Sequence, residues 1–262
     1  KNKKAILAHS KLVSKIMNMN QILFGDGLEL MKSIPDKSIP LIFSDLPFGT
    51  TKCKWDTPID LAKMWIQYER IIKPNWAILL FAQTPFDKVL GASNLKMLRY
   101  EWIWEKTQAT GHLNAKKMPM KAHENILVFY KNKPTYHPQM THGHERKVAT
   151  AHHKRNCTTG DIYGKCDNFA DYDSTDRYPR SVVVFPSDKQ KLNLHSTQKP
   201  VALIRYFIRT YSNKGDIVLD NTAGSGTTAI AAMDEKRGFI VMENDPKIFD
   251  VMKNRIENYE PQ

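Results

Sequence analysis

Between residues 20 and 104, short uninterrupted apolar runs alternate with apolar positions at helical spacing. Gln21-Ile22-Leu23-Phe24 reads as a short strand ending at Gly25-Asp26-Gly27, with a helix over 28–33. Leu41-Ile42-Phe43-Ser44 reads as a second strand, leaving through Asp45-Leu46-Pro47-Phe48-Gly49. Residues 60–73 put Leu61, Met64, Trp65, Tyr68, Ile71 and Ile72 on one helical face, and Pro74 stops that helix. The apolar run 76–82 predicts a buried strand, and Tyr100-Glu101-Trp102-Ile103-Trp104 alternates as another.

From about 105 to 190 this alternation fades, apart from a strand at Ile126-Leu127-Val128-Phe129-Tyr130. The stretch is rich in His, Lys, Asn, Asp and Tyr, and reads as an insertion of loops and short strands, the kind of segment that often carries recognition. At Pro200 a helix opens with Val201, Leu203, Ile204, Phe207, Ile208 and Tyr211 on its apolar face, ending near Asn213-Lys214-Gly215. Ile217-Val218-Leu219 is the next strand, and Gly238-Phe239-Ile240-Val241-Met242-Glu243 ends in a carboxylate. A last helix runs over 246–258. Strand–helix alternation on both sides of an insert implies an α/β fold with a mostly parallel sheet, interrupted by a second unit.

Charge adds a partner to this picture. The net charge of the 262-residue chain is +12. Residues 1–104 carry 15 Lys+Arg against 9 Asp+Glu, residues 105–191 again 15 against 9, and residues 192–262 carry 9 against 9. The excess therefore lies off the last third, which suits a polyanion such as nucleic acid bound elsewhere on the molecule, or simply a basic surface. The run 76–82 is too short to span a bilayer. The basic Lys1-Asn2-Lys3-Lys4 start is followed by no apolar core of signal-peptide length. Three cysteines, Cys53, Cys157 and Cys166, are an odd and sparse set that favours a reducing compartment. The expectation is a soluble cytoplasmic protein with no membrane partner.

Candidate chemistry gathers where strands end, since ligands of open parallel sheets bind beyond the carboxyl ends of the strands. Asp26, the stretch Asp45-Leu46-Pro47-Phe48, the turn over 220–228 and Glu243 all occupy such places. The turn, Asp220-Asn221-Thr222-Ala223-Gly224-Ser225-Gly226-Thr227-Thr228, joins a buried strand to a helix. It is suited to bring backbone and a helix N-terminus close to a small cofactor. Glu243 lies 17 residues beyond Gly226, close to the spacing at which an acid meets ribose hydroxyls. An adenosine-containing cofactor follows, without its identity. The turn lacks the Gly-Lys-Ser/Thr ending of a phosphate loop, which counts against ATP.

Three segments resemble the S-adenosylmethionine-dependent amino-methyltransferases of DNA, in their β-group order, where the catalytic segment comes first, target recognition second and the cofactor loop last. His195-Ser196-Thr197-Gln198-Lys199-Pro200, with the helix that leads to Asp220, is similar to the family's His, one residue, Thr-Gln-Lys-Pro pattern. The glycine turn is the second segment, with Asn221-Thr222 where Pro-Phe is commoner. Asp45-Leu46-Pro47-Phe48 is the third, similar to the family's Asp-Pro-Pro-Tyr or -Phe, with Leu46 in place of a proline. The likeness covers about 20–130 and 192–258.

The resemblance implies a Rossmann-like methyltransferase sheet, circularly permuted, with helices on both faces. It divides the chain into a 1–18 extension without assigned role, a catalytic half over 19–105, a target-recognition insert over 106–190 and a cofactor half over 191–262. S-adenosylmethionine is the implied cofactor, held by Asp26 at its adenine, Glu243 at its ribose, Thr197 and Lys199 near its methionine end, and Asp220, Gly224, Ser225, Gly226 and Thr227 in the turn. Asp45, Leu46, Pro47 and Phe48 are the implied catalytic residues. An exocyclic amine is a poor nucleophile because its lone pair is delocalised into the ring. Two acceptors, the Asp45 carboxylate and the Leu46 carbonyl, can localise that pair and aim it at a sulfonium methyl, while Pro47 keeps Leu46 extended. Phe48 stacks on a base swung out of the duplex.

Double-stranded DNA is the implied partner, contacted by Lys116, Lys117, Arg146, Lys154 and Arg155; a homodimer and a cognate restriction endonuclease are left open. Asp in the first tetrapeptide position goes with adenine N6. Cytosine N4 methylation and a silent fold that binds DNA without modifying it are the alternatives, and an RNA substrate suits the segment order less well. His152 or His153 with Cys157 and Cys166 could be imagined around zinc, but no Cys-x-x-Cys or regular His spacing is present, and no metal is assigned. Trp102 and Trp104 are read as core.

Overall fold

A computed structural model describes residues 20–49, 58–152, 170–187 and 198–261. Thr197, Lys154, Arg155, His153, Cys53, Cys157, Cys166 and the 1–18 segment lie outside the described residues. Two compact units separate: Lys1–His137 with Ser181–Gln262, and Pro138–Arg180.

The larger unit is built on an eight-stranded sheet. Its strands are β1 (Asn20–Phe24), β2 (Ile39–Ser44), β3 (Ile72–Ala82), β4 (Leu98–Thr110), β5 (Lys121–Phe129), β8 (Val182–Phe185), β9 (Ile217–Asp220) and β10 (Gly238–Glu243), in spatial order β1-β10-β9-β2-β3-β5-β4-β8. The five strands from β1 to β3 in that order are mutually parallel. β5 runs antiparallel to β3 and β4, and β8 runs parallel to β4. β1 and β10, from opposite ends of the chain, pair from Asn20 opposite Phe239 to Phe24 opposite Glu243, the adjacency a permuted sheet requires.

Period-two alternation explains the layers. Leu41, Phe43, Leu79, Phe81, Val218, Phe239 and Val241 face one way, onto α4 (Val201–Tyr211), α5 (Thr227–Asp234) and α6 (Pro246–Glu257). Ile42, Ile78, Leu80, Leu219, Ile240 and Met242 face the other, onto α1 (Gly27–Met31), α2 (Leu61–Ile71) and α3 (Phe86–Ser93). Trp102 and Trp104 are buried in the first of these layers, as the alternation of β4 indicates. Among the described residues, no helix is long and apolar enough to cross a membrane.

Several elements differ from the expected bounds. β3 starts at Ile72, four residues before the apolar run, and passes through Pro74 beside a shift in its register with β2. β4 and β5 extend well into the expected insert, pairing from Leu98 opposite Phe129 out to Thr110 opposite Lys121. Their extensions carry Lys106, His123 and Glu124, charged and polar residues that hide a strand from a hydrophobicity pattern. β8, made of four consecutive apolar residues, is a sheet edge, and α3 covers the second face. The compact unit within the 106–190 segment is thus the shorter stretch Pro138–Arg180. In that unit β6 (Lys147–Ala149) pairs antiparallel with β7 (Tyr172–Ser174).

Candidate active site

The five parallel strands release their chain ends along one edge of the sheet, and antiparallel β5 begins there while β4 finishes there. That edge borders a cleft of about 760 Å³ lined by Asp26, Asp45, Leu46, Phe48, Lys106, Glu124, Lys199, residues 220–225 and Glu243, among others. Segments distant in sequence are therefore brought to one site by the strand order.

At the glycine turn the geometry is held by internal bonds. Asp220 Oδ1 accepts from Thr222 N at 3.1 Å, and Oδ2 accepts from Thr228 Oγ1 at 2.6 Å. Burial pushes the Asp220 carboxyl up to about 7, against the pull of those donors. Glu243 accepts from Gly224 N (3.0 Å) with one oxygen and from Asn244 N and Asp245 N (2.9 Å each) with the other. Burial also pushes Glu243 above the usual carboxylate range. Gly226 starts α5 at φ +79°, and a Cβ there would come within 2.8 Å of Met252. A Cβ on Gly27 would come within 2.5 Å of the Asn221 carbonyl, so the β1 exit and the turn meet at backbone distance. Asp26 caps α1 by accepting from Leu28 N and Glu29 N at 2.8 and 3.1 Å.

Asn221 ties this turn to the end of β2. Its Oδ1 accepts from Ser44 Oγ at 2.9 Å and Tyr68 Oη at 2.5 Å, and burial raises the Tyr68 phenol well above its ordinary value. Thr222 Oγ1 donates to the Asp45 carbonyl at 3.1 Å. The two residues that differ from the commoner Pro-Phe thus anchor the turn through hydrogen bonds.

At the other end lies a chain of charges. Lys199 Nζ donates to Asp45 Oδ2 at 2.5 Å and stands 3.4 Å from Glu124 Oε2. Lys106 Nζ donates to Glu124 Oε1 at 2.6 Å. The Lys199 ammonium also lies 4.9 Å from the Phe81 ring centre and 5.8 Å from that of Phe48. Burial pushes the Asp45 carboxyl up despite Lys199, whereas for Glu124 the two lysines outweigh burial and hold it low. Burial opposes the charge on Lys199, yet Asp45 and Glu124 raise it above the ordinary lysine range. Asp45 Oδ1 is buried with no hydrogen-bond partner. Leu46 is buried, and Phe48 is half-buried and stacked on Phe86 at 5.3 Å.

The structure brings Asp26, Asp45 to Phe48, Lys199, Asp220, Gly224, Ser225, Thr227 and Glu243 to one cleft, with Gly226 behind it. Two of the basic residues, Lys116 and Lys117, belong to the larger unit but not to the lining of this cleft. Lys116 and Lys117 are exposed past the short 3-10 turn His112–Asn114 that links β4 to β5. In the smaller unit, Arg146 is held by Asp173 in a two-pronged ion pair at 2.7 and 2.6 Å. Among the described residues no group of three His, Cys, Asp or Glu side chains could hold a metal. Lys106 and Glu124 escaped sequence reasoning, although the Trp102–Trp104 and Ile126–Val128 alternations, extended by two residues, put both on the inward face. Arg255 escaped it as well: its Nη1 donates to the Ser225 carbonyl at 3.0 Å and to Thr227 Oγ1 at 3.2 Å, bracing the turn from α6.

A family model described as DNA methylase matches residues 39–254. The chain is 29% identical over 254 residues to the DNA adenine methyltransferase YhdJ of Escherichia coli (strain K12), spanning 90% of this chain and 82% of that protein. Its fold is similar to that of M1.HpyAVI in a complex with SAM, at a TM-score of 0.60 and 21% identity, over 90% of this chain and 100% of the other. The cytosine-N4-specific PvuII DNA methyltransferase is similar at a TM-score of 0.58 and 18% identity, over 91% and 92% of the two chains.

Proposed function

The chain belongs to the DNA methylase family of N6 and N4 amino-methyltransferases, and we propose that it methylates adenine N6 in double-stranded DNA with S-adenosylmethionine. One observation carries this reading. Asp45, half-buried overall, has one oxygen on Lys199 and the other, itself buried, without a protein partner, in the same cleft as the cradle built by Gly224 and Glu243. An unmade buried hydrogen bond costs about 1–3 kcal/mol. A bound amine that donates one N–H to Asp45 Oδ1 recovers that cost.

The residues present fit the cofactor. A Cβ on Gly27 would meet the Asn221 carbonyl, so backbone packs closely at this end; a Cβ on Gly224, which lines the cleft, would meet no protein atom, and Glu243 stands at the end of the strand next to the turn. When bound, S-adenosylmethionine supplies an electrophilic methyl group on a sulfonium. This chain's residues hold and orient the nucleophile. Asp45 Oδ1 and the Leu46 carbonyl accept the two amine N–H bonds, turning the nitrogen lone pair out of the base plane. Phe48, half-buried in the lining of the cleft, is the aromatic ring on which the extruded base would stack. Lys199 favours the carboxylate form of Asp45, the form in which Oδ1 can accept from an amine. The aspartate in the first tetrapeptide position supports adenine over cytosine, and the +12 net charge supports a polyanionic substrate.

The test is direct. Protein, unmethylated DNA and labelled S-adenosylmethionine are incubated, the DNA is digested to nucleosides, and the labelled nucleoside is identified by mass spectrometry. N6-methyladenine is expected. Label in N4-methylcytosine would overturn the choice of base, and DNA binding with no label in any nucleoside would replace the enzyme by a silent fold.

A further inference from the structure

Four charged side chains, half-buried Asp45 and buried Lys199, Glu124 and Lys106, alternate in sign along one line at the transfer end of the cleft. They come from the exit of β2, the segment before α4, β5 and β4. Taking such groups out of water costs several kcal/mol per ion, and their mutual attraction seldom returns more than that. Net stability is therefore a weak reason for the arrangement, and its geometry offers a better one. An ammonium placed symmetrically on a carboxylate would engage both oxygens. Lys199 engages Oδ2 alone, at 2.5 Å, and its other side faces Glu124 Oε2 at 3.4 Å. Glu124 in turn is fixed by Lys106, whose ammonium is itself packed 5.1 Å from the Trp104 ring centre.

We propose that Glu124, braced by Lys106, is a positioning residue for the methyl transfer: it draws the Lys199 ammonium aside, so that Lys199 holds Oδ2 of Asp45 and leaves Oδ1 for the target amine. This rests on the transfer reaction inferred above. Lys106 is as much part of the device as Glu124, because it satisfies the second Glu124 oxygen. Without Lys106, Glu124 competes with Asp45 for the single ammonium between them.

That competition gives a test which a packing role would not reproduce. Methylated nucleoside is measured at saturating DNA over a range of S-adenosylmethionine for wild type, Lys106→Met, Glu124→Gln and the double variant Lys106→Met/Glu124→Gln, with melting temperatures alongside. Each single variant is expected to lose tenfold or more in kcat, with KM for the cofactor moving less than threefold. The double variant, in which Lys199 is as free to straddle both Asp45 oxygens as it is in Glu124→Gln, is expected to match Glu124→Gln in kcat within threefold, because Lys106 acts only through Glu124. Losses that multiply in the double variant, or that fall on KM, would overturn the assignment. Unfolding of the double variant, which keeps the corner neutral, would make the pair a structural brace and overturn it too. A wild type that methylates no DNA fails at the first step, which overturns the reaction and this assignment with it, whereas an active wild type with multiplying losses overturns only the role of Glu124.

Discussion

The two ends of the cleft use carboxylates in opposite ways. At the glycine turn they are spent on the protein itself: Asp220 accepts from Thr222 and Thr228, and Glu243 from three backbone N–H groups. At the transfer end, Asp45 holds Lys199 with one oxygen, and its Oδ1 is buried without a hydrogen-bond partner. The first end is rigid before anything binds, a shape for a ligand to fit. The second keeps one carboxylate oxygen, Asp45 Oδ1, unengaged, the acceptor that the proposed amine partner needs. Rigidity at one end and reserve at the other should separate cleanly in binding and rate measurements.

The sharpest way to break that contrast is at Asp45. Asp45→Ala is expected to lower kcat by about a thousandfold or more, while the dissociation constant for S-adenosylmethionine in calorimetry stays within about threefold. A large loss of cofactor affinity instead would merge the two ends into one binding site. Glu243→Ala probes the other end. It frees Gly224 N, Asn244 N and Asp245 N together and should weaken the cofactor by about ten- to a hundredfold, leaving kcat at saturating cofactor within a few-fold.

Asp220 offers a smaller effect with a defined sign. Its folded value of about 7 lies above the ordinary aspartate value of about 3.9. The folded state therefore binds this proton more tightly than the unfolded chain. The contribution to stability is present below about pH 4 and is withdrawn as pH rises to 7. Asp220→Asn, which can keep both bonds by accepting from Thr222 and donating to Thr228, should match wild type near pH 4. It should be more stable at pH 8 by on the order of 2 kcal/mol in denaturant unfolding. Equal stability of the two proteins at pH 8 would show that Asp220 carries no such burden.

Much of the first end was legible in the chain, and less of the second. The glycine turn, the strand ending in Glu243 and the helix after Pro200 each announce themselves by a run, a spacing or a breaker that acts locally. So do Asp45 to Phe48, because they follow an apolar strand directly. Lys106 and Glu124 were hidden for a physical reason: charged residues are read as solvated, so the inward alternation of β4 and β5 stops short of them, and the pairing of Trp104 opposite Glu124 is what carries it on. The partners of Asn221 were equally hidden, since Ser44 and Tyr68 lie 177 and 153 residues away along the chain. The start of β3 was masked by Pro74, a residue that usually marks a strand's edge rather than its course.

The smallest effect lies outside both ends. Lys116 and Lys117 are exposed beyond the 3-10 turn between β4 and β5, and the base of that connection, Thr110, lines the cleft. Side chains so placed can meet phosphates without touching the reacting base, and phosphate contacts position a duplex without reading it. Lys116→Ala/Lys117→Ala should therefore weaken DNA about three- to tenfold, flatten the dependence of log K on log salt by about 0.9 for each phosphate no longer neutralised, and leave kcat at saturating DNA unchanged. The salt dependence separates this from a folding defect, which would lower affinity without changing the slope. A fall in kcat equal to the fall in affinity would carry the transfer end out to the β4–β5 connection, well beyond Asp45 and its unengaged Oδ1.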